Sequence, residues 1–200
     1  MNSSSILPNV PTRRAALPDK AQITRGFVLG VGAGVFSALL TFVGREWYAS
    51  LVRPEWALSI AVLVGLQLLI WPCAGVAWAH LGASGMMEGS KKVVLTWFWI
   101  TLALCLVWSA SFWAFKSAGW GYTVIMCAWC AAVALLWTGS KLSRTAFFLL
   151  VPLWVWITFA SSLNFAILSF NTLRQVSASM DADPRNANSP ADPPIIVQKK

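Results

Sequence analysis

Charge is scarce in this chain, and its placement excludes more than its amount. Only 11% of the 200 residues are Asp, Glu, Lys or Arg, against roughly a quarter in soluble domains. None of them falls within 26–44, 57–79, 93–115, 117–140 or 145–173. Ion pumps and ion-coupled carriers keep carboxylates, lysines or histidines inside the membrane to bind or relay the ion. This chain offers none there, which argues against that class. Its single histidine, His80, stands at the end of the second run. Acid–base and metal catalysis lack their usual groups in these runs as well, so no catalytic residue and no metal site is assigned. Residues 1–22 have no apolar h-region, so no cleavable secretory signal is expected. Inverted repeats, another sign of a transporter, are not visible.

What is present is apolar. Hydrophobic residues make up 58%, and 13 tryptophans stand among them. A helix needs about 20 apolar residues to cross a hydrocarbon core of roughly 30 Å, and each of the five charge-free runs is that long. Barrel strands would alternate apolar and polar residues over about 10 positions, and these runs do not. The expected fold is an all-α membrane protein, a five-transmembrane-helix bundle over 25–173. It is flanked by a basic tail over 1–24 and a Pro-, Asp- and Ser-containing tail over 174–200, both expected to be disordered. The N-terminal tail also has the basic, acid-poor character of an organellar transit segment.

The net charge of +8 does not point to nucleic acid. The basic residues sit in tails and loops, where anionic headgroups attract them. Arg13, Arg14, Lys20, Arg25, Lys91, Lys92, Lys141 and Arg144 fall on the N-terminal side, against Arg45, Arg53, Lys116, Arg174 and Arg185 opposite. The positive-inside rule then places the N-terminus in the cytoplasm.

Small and polar residues mark the helices. Gly26, Gly30 and Gly34 recur at i, i+4, i+8, a face that lets two backbones approach closely. Its partner is a neighbouring helix or a second chain in a homodimer. Pro72 predicts a kink in the second helix. Gln67, mid-membrane, serves either as glue between helices or as a ligand contact. Thr96, Thr101, Ser109 and Ser111 can each bond their own backbone. Cys127 and Cys130 form a C-x-x-C within an apolar helix, a poor context for redox or zinc chemistry. With Cys73 and Cys105 they read as small buried hydrophobes, a thiolate on a haem iron being the alternative.

Trp47, Trp56, Trp97, Trp99, Trp120 and Trp137 stand near run ends, where an amphipathic indole suits the membrane interface. Trp108, Trp154 and Trp156 lie deeper, where each N–H wants an acceptor. Flat apolar walls with a few polar groups are what a polycyclic ligand needs.

Three motifs then carry a resemblance. Trp47-Tyr48, Leu51, Arg53-Pro54 and Trp56 match W-Y-x-x-L-x-K/R-P-x-W. Trp108, Phe112, Trp113, Gly119 and Trp120 echo a third-helix pattern of Trp, F-F and Gly-Trp. Pro152, Trp156, Leu163, Asn164 and Phe165 match P-Y-x-x-W followed by L-N-Y/F. In order and spacing from about 45 to 171, the chain resembles the translocator protein family, also called tryptophan-rich sensory proteins (TspO/MBR). It departs from the family pattern at several points. Ala57-Leu58-Ser59 replaces x-Pro-Pro, and Gln67 replaces a Trp. Cys105 and Ala110 stand for an Asn and a Pro, and Leu153 for a Tyr. Phe165 stands where a cholesterol-recognition pattern needs Tyr.

The resemblance implies a receptor-like membrane protein that binds porphyrin, haem or sterol in a pocket inside the bundle, opening near the first loop. It implies a pocket wall of Trp108, Trp120, Trp156, Ala160, Leu163 and Asn164, with Trp47 and Trp56 at the lid; Gln67 is a further candidate on its mid-membrane amide alone. Arg45, Arg53 or Asn164 would meet a propionate. No resident cofactor is implied. Three classes of activity follow: sensing or sequestering the ligand, carrying it, or degrading porphyrin slowly with light or oxygen. Family members occur in bacterial outer and mitochondrial outer membranes, and the sequence does not choose between them.

Overall fold

The computed structural model describes residues 17–84 and 87–181. Its helices are α1 (Lys20–Val43), the short α2 (Arg45–Ser50), α3 (Ile60–Ala83), α4 (Glu88–Ser109), α5 (Ala118–Ser140) and α6 (Arg144–Asp181). Five of them are long and apolar enough to cross a membrane. The expectations for 1–16 and 182–200 lie outside the described residues.

Local chemistry sets the starts. Asp19 caps α1 through its carboxylate, which accepts from Gln22 N (2.6 Å), while Gln22 Oε1 accepts from Asp19 N (3.2 Å). This capping box starts α1 before Arg25. Ser59, Ser117 and Ser143 accept from the backbone N–H three residues on, opening α3, α5 and α6. At the other end α6 runs past Arg174 to Asp181, so helix, not an irregular tail, occupies 174–181.

The five long helices form a ring in the order α1, α3, α6, α5, α4, with α1 closing on the end of α4. Lipid supplies no hydrophobic drive between helices, so close packing and polar bonds hold the ring. The glycine face of α1 packs on α3. A Cβ at Gly26 would run into the Gly75 carbonyl, and one at Gly30 into the Trp71 carbonyl. At Gly34 it would lie 3.2 Å from Trp71 Cβ. The partner of Gly26, Gly30 and Gly34 is therefore a helix of the same bundle, and a second chain would need a different surface.

Buried and half-buried polar bonds reinforce the ring. Gln67 Nε2 on α3 donates to Thr41 Oγ1 on α1 (3.1 Å), whose hydroxyl donates to Ser37 O (3.0 Å). Ser37 and Ser109 share a hydroxyl hydrogen bond of 2.8 Å, tying α1 to α4. Trp129 Nε1 on α5 donates to Thr158 Oγ1 on α6 (3.0 Å).

At Ala110–Ala114 the α4 helix widens into a π turn, closed by Phe115 N donating to Ala110 O (2.9 Å). The turn rotates Phe112 and Trp113 inward, where both are buried. Lys116 follows with φ 55°, a left-handed conformation uncommon outside glycine, and reverses the chain into α5. The cysteines are not uniformly buried: Cys105 is, whereas Cys127 and Cys130 are exposed on the outer face of α5. A thiol is apolar enough for a lipid-facing position, which the composition of the run does not distinguish from the core.

Candidate functional site

Trp108, Phe112 and Trp113 from α4 and its π turn face Trp156, Phe159, Ala160, Leu163 and Asn164 from α6, with Leu63 from α3. These side chains enclose a cavity of about 10 Å³, room for a single water at most. The walls are aromatic. Trp108 stacks on Phe112 with centroids 5.8 Å apart, and Phe112 meets Trp113 edge to face at 4.9 Å. Trp156 and Phe159 lie 5.9 Å apart, one turn apart on the same face of α6.

Two donors on the wall have different fates. With its amide oriented so that both ends are satisfied, Asn164 accepts from Trp108 Nε1 (3.2 Å) and Tyr122 N (3.0 Å) and donates to Ala118 O (2.9 Å). It clasps α4, α5 and α6 together, and no ligand is needed to satisfy it. The Trp113 N–H is buried and has no acceptor among the described residues. A buried indole N–H wants one, and Trp113 stands where the family pattern has Phe.

Helix α2 and the segment 51–59 that leads from it to α3 together strap the cavity's end. Trp47 meets Phe112 edge to face at 5.1 Å, and Trp56 meets Phe159 at 5.9 Å. Beneath the strap lies Tyr48, fully buried, whose hydroxyl donates to Leu58 O (3.3 Å). Arg53 covers its ring at 4.8 Å. Burial raises the Tyr48 hydroxyl above its ordinary value of 10.0, with Arg53 pulling the other way. Asn171 on α6 pairs with Val52, accepting from its N–H (3.1 Å) and donating to its carbonyl (3.0 Å).

Of the residues expected at the site, Trp108, Trp156, Ala160, Leu163 and Asn164 line the cavity, and Trp47 and Trp56 pack on its rings from the strap. Two do not belong to it. Trp120 is 71% exposed, because Gly121 takes the inward position in the first turn of α5, against Phe112 and Asn164. Gln67 points to Thr41 on α1 and serves helix packing. Leu63, Phe112, Trp113 and Phe159 were not expected as lining. The F-F pattern contained the signal for Phe112 and Trp113, and the i+3 spacing from Trp156 that for Phe159. Leu63 carries no sequence signal. None of the four cysteines lines the cavity.

Residues 26–169 match the family model described as the TspO/MBR family. The chain is similar to the tryptophan-rich protein TspO of Chlorobaculum tepidum, 31% identical over 76% of this chain and 99% of the relative. It is also similar to the human translocator protein, 30% identical over 71% of this chain and 86% of that protein. The tryptophan-rich sensory protein of Cereibacter sphaeroides is 28% identical over 63% and 77% respectively.

Proposed function

The chain belongs to the TspO/MBR family and is a multi-pass integral membrane protein, and from that premise we propose that it binds a flat apolar ligand of the porphyrin, haem or sterol class between α4 and α6. The observation that carries the reading is the aromatic cavity itself: five large rings on two facing helices, capped by two more from the strap. Indole faces hold a planar apolar body by stacking, and a few polar groups fix its orientation.

The unpartnered Trp113 N–H favours a ligand that brings an acceptor, such as a carboxylate or carbonyl. That weights the proposal towards a carboxylated tetrapyrrole over a sterol, whose hydroxyl is its only polar group. Arg53, on the strap, supplies a positive charge close by. Asn164 acts as scaffold in this reading. The bound form is an opened one, because drug-sized ligands occupy roughly 300–1,000 Å³ and the closed cavity is far smaller. A ligand that binds only the opened form shifts the population towards it.

Within this reading the protein senses or sequesters its ligand. Carriage across the membrane and light- or oxygen-dependent degradation are the competing activities. Purified protein incubated with protoporphyrin in the dark and in light separates them. Saturable binding in the dark with an unchanged porphyrin spectrum is the expected result. Flux into sealed vesicles would replace sensing by carriage, and a new absorbing product in light would replace it by turnover.

A further inference from the structure

The α2–α3 strap is tied to the bundle by three kinds of contact. The rings of Trp47 and Trp56 rest on Phe112 and Phe159, both of which line the cavity. Tyr48 donates to Leu58 O from below. The third tie reaches the strap from α6, through one side chain. Asn171 Oδ1 accepts from Val52 N at 3.1 Å, and its Nδ2 donates to Val52 O at 3.0 Å and to Ile167 O at 2.7 Å.

An amide is the side chain suited to this work. It offers a donor and an acceptor on one planar group, so it pairs with both backbone groups of Val52 as a neighbouring strand would. The bond to Ile167 O, within its own helix, fixes the direction in which that amide points. A carboxylate could take only the Val52 N–H, and an apolar residue neither group.

We propose that Asn171 is a positioning residue that latches the strap over the cavity and thereby sets how fast a flat apolar ligand gains and leaves the bundle. The inference rests on the reading of that cavity as the ligand site. The geometry supports it in two steps. The closed cavity has space for about one water, so the rings around it must part before anything larger binds. Two of those rings, Phe112 and Phe159, are held in place by strap tryptophans. Releasing Val52 frees the end of the strap that leads from Trp47 into Trp56. The pair is exposed, at the end of α6 beyond the buried core, so it opens without unpacking the five-helix ring.

The test uses the full chain in lipid nanodiscs, with Asn171→Ala, Asn171→Asp and, as a control on the exposed face of the same turn, Thr172→Ala. Amide hydrogen exchange over 51–59 reads the latch without any ligand. Stopped-flow quenching of tryptophan fluorescence by protoporphyrin reads association and dissociation. Asn171→Ala should speed exchange at Val52 and raise both ligand rates by roughly 5- to 30-fold, the effect of losing one or two ordinary hydrogen bonds. Asn171→Asp should fall between it and the wild type, since it keeps one of the two bonds. Thr172→Ala should match the wild type, and the thermal midpoint of all three should stay near the wild-type value. Unchanged exchange at Val52 in Asn171→Ala would overturn the latch. Faster exchange with unchanged ligand rates would overturn the gating role and leave the cavity reading standing. An absence of saturable protoporphyrin binding to the wild type would overturn the cavity reading and the gating role together, whatever the exchange shows.

Discussion

The side-chain amide of Asn164 accepts the indole N–H of Trp108 at 3.2 Å across the α4–α6 interface. The same amide is bonded to both Ala118 O and Tyr122 N in the first turn of α5, so one residue joins three helices at the cavity wall. Replacing Asn164 by Leu should therefore lower the stability of the ligand-free protein, by about 1–3 kcal/mol for the buried groups left without partners. Thermal unfolding in a mild detergent, with no ligand added, measures this. An unchanged midpoint, with only ligand affinity reduced, would mean that Asn164 is a ligand contact rather than a clasp.

Gly30 and Gly32 lie one either side of a methyl-sized distinction. A Cβ at Gly30 would strike the backbone of α3, whereas one at Gly32 meets nothing within 4 Å among the described residues. Gly30→Ala should cost about 1–3 kcal/mol or more, as overpacking does where backbone cannot yield. Gly32→Ala should change stability by no more than about 0.5 kcal/mol. Thermal unfolding of the two variants side by side checks the pair. If both are neutral, α1 does not dock on α3 through its glycine face.

The five spans were legible because lipid forbids unpaired charge and the sequence obeys that rule over long runs. Their partners were less so. The i, i+4, i+8 glycines announced a close approach, but only the fold identifies α3 as the helix approached. Gln67 had two readings in the sequence, and its hydrogen bond to Thr41 selects the structural one. Trp120 belongs to a motif by spacing, yet helical rotation turns it outward and Gly121 inward. The π turn at Ala110–Ala114 leaves no periodic signature, and it is what brings Phe112 and Trp113 to the cavity. The link from Asn171 to Val52 spans 119 positions, and a single sequence holds no trace of it.

The strap should respond to alkali. The folded-state value of the Tyr48 hydroxyl is raised by burial, so folding favours its neutral form. The stabilisation is complete below the ordinary value near 10 and is lost as the pH rises through the higher folded value. Hydrogen exchange in 51–59, corrected for the intrinsic rise with pH, should stay flat up to about pH 10 and increase beyond it. Tyr48→Phe should remove that step while losing the bond to Leu58 O. A strap whose corrected exchange shows the same alkaline step in Tyr48→Phe would place the titrating group elsewhere.

Trp113 should discriminate between porphyrins. Its buried N–H has no acceptor among the described residues, so a carboxylated porphyrin that reaches it would gain a partner that an all-alkyl porphyrin lacks. Trp113→Phe should reduce the preference for protoporphyrin over octaethylporphyrin by about 5- to 10-fold, the worth of one hydrogen bond. Fluorescence titrations of both ligands against both proteins measure the change. An unaltered preference would remove Trp113 from the recognition of the ligand.

The central claim is that the rings between α4 and α6 bind a flat apolar ligand by stacking, and a comparison of two tryptophans tests it most directly. Trp156 lines the cavity and is buried, whereas Trp137, at the C-terminal end of α5, is 69% exposed with Lys141 over its ring. Dark titration with protoporphyrin in nanodiscs should give saturable quenching, and Trp156→Ala should weaken it by the order of 1–3 kcal/mol, taking base–aromatic stacking as the guide. Trp137→Ala should leave the affinity close to wild type. Equal losses in the two variants would mean that the porphyrin partitions into the bundle and its lipid surface at large, and the cavity would no longer be the binding site.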